Sequence, residues 1–168
     1  HQLDAENEIG HGLMAVGMAL MFAPFDLLTA DLLRWNILVF ALASMWFVGR
    51  LFTHRPLLAV LLRAKGTHST GRSDAIHALM HAGMSFMFLL MGSMQLSMTL
   101  PATYLSCGFF VSFVFLTSFY VREVSKDLQS QTKNGLQLGA NLAHVLMSGA
   151  MSWMFLQMLT MTMSMAGP

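Results

Sequence analysis

The stretch His77–Met87 reads HALMHAGMSFM, and it decides how the rest of the chain is interpreted. Two other stretches, HGLMAVGMALM at His11–Met21 and HVLMSGAMSWM at His144–Met154, repeat its pattern of one histidine and three methionines. All three read H-x2-M-x3-M-x2-M, where x is any residue. The histidines are 66 and 67 residues apart (77 − 11 and 144 − 77). The repeating unit is therefore predicted to be a motif helix followed by a second helix.

The composition around these motifs is that of a membrane protein. Of 168 residues, 55% are hydrophobic and 10% are charged, whereas a soluble domain carries about 25% charged residues. Five apolar stretches have roughly the length that a transmembrane helix needs. We therefore predict an all-α integral membrane bundle, a single transmembrane domain over residues 1–168, with helices at roughly 9–25, 36–52, 75–99, 101–121 and 140–165. A net charge of +1 without a basic patch argues against nucleic acid as a partner.

The basic residues predict how the chain is oriented in the membrane. With five spans, the N-terminus and the loops 49–73 and 122–139 lie on one side, and they carry eight of the nine Lys and Arg residues. Only Arg34 lies on the other side. Because positively charged loops stay in the cytoplasm, we expect the N-terminal side to be cytoplasmic, in a multi-pass protein of the cell membrane.

Helix geometry places the repeated residues on one stripe of each motif helix. At about 100° per residue, offsets 0, 3, 7 and 10 fall within a stripe about 80° wide. The first, third and fifth helices run parallel, so their histidines are expected at one membrane depth. Fifteen of the seventeen methionines lie on these stripes or their continuations, and only Met45 and Met163 do not.

One interpretation of the stripes is purely structural. Offsets 0, 3, 7 and 10 are the a and d positions of a heptad, and methionine fills irregular gaps in helix interfaces. Three residues before each histidine stand Glu8, Asp74 and Asn141. In this interpretation they are helix caps or first-turn acids that suit the helix dipole.

The other interpretation is a metal site. Leucine would pack such stripes equally well, so packing alone does not explain why each stripe contains a histidine. Imidazole together with thioether suits copper, and thioether selects Cu(I). Neutral methionines around Cu⁺ leave one charge in a low-dielectric core, where Zn²⁺ would leave two. Glu8, Asp74 and Asn141 would then orient or neutralise the ligands. The predicted ligands are His11, His77 and His144, then successive methionine layers, Met14, Met80 and Met147, then Met18, Met84 and Met151, then Met21, Met87 and Met154.

His81 stands four residues after His77, on the flank of the stripe. It is predicted either as a fourth imidazole ligand or as a group that orients a ligand. A hydrogen bond to a neighbouring helix is an equally good explanation, and the sequence leaves these alternatives open.

The quoted motif segments also carry a resemblance. Together with FALASMWFVGRLF and the aromatic-rich fourth helix, they resemble a family of multi-helix membrane proteins, known mainly from actinobacteria, that is described only as a domain of unknown function. The resemblance implies a multi-helix membrane fold and no particular activity.

Three functions follow as hypotheses. The first is an integral membrane protein that handles Cu(I) through a core of histidine and methionine. The second is an accessory or structural subunit of a larger membrane complex, such as a copper monooxygenase or a terminal oxidase, or a homo-oligomer. The third is electron transfer through b-type haem, although histidines at one depth do not face each other across a macrocycle. A freestanding enzyme is disfavoured, because no nucleophile–base set or nucleotide-binding motif is present.

Overall fold

The structure is a computed structural model, and it describes residues 5–21, 29–53, 71–93, 99–129 and 135–165. Within these ranges every regular element is an α-helix, which confirms the predicted all-α class. The chain divides into two compact units, His1–Ser93 and Met94–Pro168. The first unit contains α1 (Ala5–Met21), α2 (Ala30–Thr53) and α3 (Gly71–Gly92), and the second contains α4 (Leu100–Gln129) and α5 (Gly135–Met165).

Four of the described helices, α2 to α5, are long and apolar enough to cross a membrane. The apolar part of α1, Glu8–Met21, is shorter. Large apolar side chains lie on the surface, for example Met45 on α2 and Phe115 on α4, which are 69% and 71% exposed. Apolar surfaces of this kind are compatible with a multi-pass membrane protein, whose helices face lipid.

All five helices differ from their predicted bounds. Helix α1 begins at Ala5 rather than residue 9, and α3 begins at Gly71 rather than residue 75 and ends at Gly92, before the predicted residue 99. Helix α2 begins at Ala30 rather than residue 36, because Thr29 caps it and the backbone N–H of Leu32 donates to Thr29 Oγ1 at 3.3 Å. Helix α4 continues past residue 121 to Gln129, and α5 begins at Gly135 rather than residue 140. Apolar runs mark only the part of a helix that suits lipid, so they miss its polar turns. The predicted helix ends at residues 22–25 and 94–98 lie outside the described residues.

Helices α2 and α3 pack against each other as an antiparallel pair. The hydroxyl of Ser44 donates to the carbonyl oxygen of Ala78 at 3.0 Å, and that of Ser85 donates to the carbonyl oxygen of Ile37 at 3.1 Å. The two bonds are seven residues apart on each helix (44 − 37 and 85 − 78), in opposite directions. Hydrogen bonds of this kind join helices where no water is present to compete.

Helix α1 approaches this pair through two glycines, also seven residues apart. A Cβ atom added at Gly17 would lie 2.3 Å from Phe40 Cζ, and one added at Gly10 would lie 3.0 Å from Phe47 Cζ. As residue numbers rise on α1 they fall on α2, so these helices are antiparallel. Helix α1 therefore runs parallel to α3, and the two can present matching residues side by side.

The second unit is an antiparallel helix pair. The rings of Phe113 and Phe155 stack with their centroids 5.9 Å apart. The hydroxyl of Thr117 on α4 donates to the hydroxyl of Ser148 on α5 at 2.9 Å. These contacts fix which faces of α4 and α5 meet, and they bring Tyr120 next to one of the repeated histidines.

Candidate functional site

The closest pair of repeated residues in the first unit is His11 on α1 and His77 on α3. Their Nε2 atoms are 3.1 Å apart, and their ring centroids are 4.7 Å apart at an angle of 53°. His77 is only 1% exposed, while His11 is half-buried. The parallel course of α1 and α3 explains why the first residues of the two motifs meet.

The hydrogen bonds of His77 determine which of its nitrogens carries a lone pair. Its Nδ1 atom lies 2.8 Å from the carbonyl oxygen of Ser73. Because a carbonyl oxygen only accepts, Nδ1 carries the hydrogen, and in the neutral ring Nε2 presents a lone pair toward His11. The neutral pair then needs a hydrogen from His11 Nε2. The space between the two Nε2 atoms can thus hold a proton or another electron-pair acceptor.

An aromatic ring holds the two histidines of α3 in place. Phe47 on α2 stacks on His77 with centroids 4.9 Å apart, and on His81 with centroids 5.2 Å apart. The guanidinium carbon of Arg50 lies 5.4 Å from the centroid of the same Phe47 ring. Phe47 is therefore packed between a cation and two imidazoles, which restricts the orientation of both histidines.

Asp74 pairs with Arg50. The two side chains approach to 3.1 Å between Arg50 Nη2 and Asp74 Oδ1, and both are completely buried. Asp74 was predicted to orient or neutralise the histidines. The structure adds that it balances the charge of Arg50, which in turn lies against Phe47.

His81 is completely buried, and its two nitrogens differ. Nδ1 lies 2.7 Å from the carbonyl oxygen of His77 and therefore donates to it. Nε2 is buried and has no hydrogen-bond partner within the described part of the chain. This hydrogen bond from Nδ1 is made within α3. The sequence also allowed a hydrogen bond to a neighbouring helix, and among the described residues such a bond does not hold this ring.

Four of the methionines described in the first unit are buried. Met18 and Met21, further along α1, are half-buried. Met84 approaches α1, because its Cε atom lies 2.6 Å from where a Cβ on Gly17 would stand. The buried members are Met14, Met80, Met84 and Met87. Thioethers are thus enclosed in the same three-helix unit as the imidazole pair.

His144, the third predicted ligand, lies in the second unit. Its ring stacks on Tyr120 with centroids 4.5 Å apart and an angle of 14°. Asn141, one turn earlier, donates to Asp127 Oδ2 at 2.7 Å. The predicted methionines that follow His144 on α5 are all buried, namely Met147, Met151 and Met154.

The acidic and imidazole groups do not form a metal site by themselves. Among the residues that the structure describes, no group of three or more His, Cys, Asp or Glu side chains is close enough to hold a metal ion. Glu8, three residues before His11, is exposed.

Three contact residues were not foreseen in the sequence. Arg50 was counted among the loop cations, although it is buried in the fold. A signal was present, since Arg50 ends one apolar run and Asp74 begins the next, so a helical hairpin brings them to the same level. Phe47 and Tyr120 carried no such signal, because many aromatic residues stand on these helices and only packing selects the ones that stack on histidine.

Comparison with known proteins gives a family without an activity. The sequence matches the family described as "Domain of unknown function (DUF5134)" over residues 4–99 and again over residues 70–168, so the chain belongs to this family. The starts of the two matches are 66 residues apart (70 − 4), the same interval as between His11 and His77. No curated protein and no solved structure matches the chain.

Proposed function

We propose that this member of the DUF5134 family is a membrane protein that binds Cu(I) at the His11–His77 pair, with methionine thioethers completing the site. The observation that carries the proposal is the distance of 3.1 Å between the two Nε2 atoms. With metal–nitrogen bonds of about 2.0 Å, this separation corresponds to an angle of about 100° at the metal. That angle suits two corners of a tetrahedral or trigonal site, and it leaves room for sulfur ligands.

The chemistry of the neighbouring residues favours copper over harder metals. Four buried methionines share the unit with the pair, and thioether is a soft ligand that selects Cu(I). Magnesium and calcium require several carboxylates, and of the two acids that stand three residues before a repeated histidine, Asp74 is paired with Arg50 and Glu8 is exposed. Neutral ligands also favour a monovalent ion, since each uncompensated charge in an apolar interior is costly.

The surroundings of the pair would keep it ready for a metal. The hydrogen bond from His77 Nδ1 to Ser73 fixes the tautomer in which Nε2 is the ligand atom. Phe47 limits rotation of the His77 ring, and Arg50 of the Arg50–Asp74 pair also contacts Phe47. In this proposal Asp74 acts through Arg50 and Phe47 as a positioning residue.

The proposal extends to the second unit as the sequence predicts. His144 with Met147, Met151 and Met154 is the third stripe, oriented by Asn141, and it would supply further ligands of the same kind. Its separate contribution can be tested, since His144→Ala leaves the His11–His77 pair intact. A lower copper stoichiometry in that variant would support a contribution of His144 to copper binding, and an unchanged one would limit the site to the first unit.

The first experiment measures copper in protein purified under anaerobic conditions without chelators. We expect about one or more equivalents of copper in the wild type and a loss of it in the double variant His11→Ala/His77→Ala. Met45→Leu is the matched control for methionine variants, because Met45 is exposed and lies off the three stripes. Wild-type copper content in the double variant, with normal helix content, would contradict the proposal.

The same preparation tests the two alternative functions. A Soret band would favour b-type haem over copper. Stoichiometric co-purification of other polypeptides in mild detergent would favour an accessory subunit of a membrane complex, a role that is compatible with bound copper.

A further inference from the structure

A cavity of about 220 Å³ lies between the three helices of the first unit. Neither histidine of the His11–His77 pair is among its lining residues. Six of its seven lining residues are a glycine or carry aliphatic or aromatic side chains, and the seventh is His81. The lining consists of Ile9, Gly10 and Leu13 from α1, Ala43, Trp46 and Phe47 from α2, and His81 from α3. The cavity is thus a largely apolar chamber with one imidazole in its wall.

One nitrogen of this imidazole is unusual because it has no hydrogen-bond partner among the described residues. His81 is completely buried, and within the described residues its Nε2 has no hydrogen-bond partner. Its Nδ1 donates to the carbonyl oxygen of His77, so the neutral ring presents a lone pair at Nε2. A buried acceptor without a partner is unfavourable, and in folded proteins such an atom commonly has a ligand or an ordered water.

We propose that this cavity binds a single aromatic ring that carries a hydroxyl group, as in a phenol or a hydroquinone, and that the hydroxyl donates to His81 Nε2. The size agrees, since an engineered apolar cavity of about 150 Å³ takes up benzene. The larger volume here leaves space for a substituent on the ring. Trp46 supplies an aromatic surface against which such a ring can stack, and Phe47 contributes an apolar part of the wall.

The site is independent of the copper proposal. Bound copper is assigned to the Nε2 atoms of His11 and His77, whereas the ring uses the Nε2 of His81. The variant His11→Ala/His77→Ala is therefore expected to lose copper and to keep binding of the ring. Failure of one proposal can be told apart from failure of the other by measuring both ligands on the same protein.

The test compares phenol with toluene, which has a methyl group in place of the hydroxyl. Binding to copper-free, full-length protein in detergent is measured by calorimetry for the wild type and for His81→Phe, which keeps an aromatic ring and removes the acceptor. One hydrogen bond predicts that the preference for phenol over toluene falls by roughly threefold to tenfold in the variant. Toluene should bind to both proteins.

A second variant guards against misfolding as an explanation. Ala43→Leu fills the cavity from α2 without touching His81, and it should weaken phenol and toluene together. Selective ¹⁵N labelling of histidine adds a direct readout, because the Nε2 signal of His81 should shift on addition of phenol and stay in place with toluene. No binding of phenol by the wild type, or an unchanged preference in His81→Phe, would overturn the proposal.

The ring can be a free molecule or the head of a membrane lipid, and a competition experiment separates the two. A hydroquinone with a short isoprenoid tail is titrated against bound phenol. If the tailed hydroquinone displaces bound phenol at a far lower concentration than free phenol does, the ligand is a lipid. If the two compounds displace it at equal concentrations, the ligand is a free molecule. If a saturated fatty acid displaces phenol equally well, the cavity is a lipid-tail site and the proposal is wrong.

Discussion

Arg50 and Asp74 form an ion pair with 3.1 Å between Nη2 and Oδ1, and neither side chain is accessible to solvent. The pair joins the end of α2 to the beginning of α3. Arg50 contacts Phe47, and Phe47 stacks on His77. The ion pair therefore links the stability of the hairpin to the geometry of the candidate copper site.

Neutralising one partner of this pair should be strongly destabilising. Asp74→Asn leaves the Arg50 charge buried without compensation, and we expect a loss of about 3–5 kcal/mol in unfolding free energy. The double variant Arg50→Met/Asp74→Leu should recover most of that loss. Denaturation in detergent micelles measures both effects.

The control for this prediction is another acid on the same hairpin. Asp31 lies 3.5 Å from Arg34, with both side chains at least 80% exposed, so Asp31→Asn should change stability little. Equal losses for Asp31→Asn and Asp74→Asn would show that burial of the pair does not matter, contrary to this account.

The close approach of α1 to α2 makes Gly17 sensitive to substitution. Gly17→Ala places a Cβ 2.3 Å from Phe40 Cζ and 2.6 Å from Met84 Cε, and such overpacking costs about 1–3 kcal/mol. Gly12→Ala is the matched control on the same helix, because nothing lies within 4 Å of its added Cβ. Thermal unfolding should show a lower midpoint for Gly17→Ala only. A stabilising effect at Gly17 would mean that α1 does not pack in this way.

In the second unit, the bond from Thr117 to Ser148 should contribute measurably to helix pairing. Interhelical hydrogen bonds in membrane proteins average about 0.6 kcal/mol, so a double-mutant cycle of Thr117→Val and Ser148→Ala should give a coupling of that size. Ser118 serves as a control, because its exposed hydroxyl bonds within its own helix. Additive effects of the two substitutions would contradict a direct bond.

The methionine part of the copper proposal is tested by removing sulfur at constant shape. Met80→Leu should weaken Cu(I) binding, since Met80 is 1% exposed and stands one turn from His77. Leucine packs in a similar volume, so the cost in stability should stay below about 1.5 kcal/mol. Competition with a Cu(I) chelator measures affinity, and Met45→Leu provides the reference. Equal affinities in the two variants would exclude Met80 as a ligand.

Much of the fold followed from two kinds of pattern. The apolar runs predicted the number and order of the helices that the structure describes, because a helix satisfies its own backbone hydrogen bonds within lipid. Helix ends were less accurate, since α4 and α5 continue through polar turns that no membrane pattern marks. The repeat also explains why His11 and His77 meet, as equivalent positions on parallel helices reach the same level.

The side-chain environment of the site was not predictable to the same degree. The ion pair of Arg50 with Asp74 follows from hairpin geometry, although the position of Arg50 after an apolar run is also typical of a loop cation. Which aromatic residue stacks on a histidine depends on the rotation of each helix about its axis. Many apolar residues fill the faces of α2 and α4, so periodicity does not select Phe47 or Tyr120.

The most direct measurement of the central claim is X-ray absorption at the copper edge on Cu(I)-loaded protein. We expect two imidazole nitrogens at about 2.0 Å together with sulfur at about 2.3 Å, the usual lengths of such metal bonds. The double variant His11→Ala/His77→Ala is expected to lose copper, and any copper that remains should show a smaller imidazole contribution. Copper that shows only oxygen neighbours, or the same imidazole signal in the double variant, would contradict a copper site at this pair.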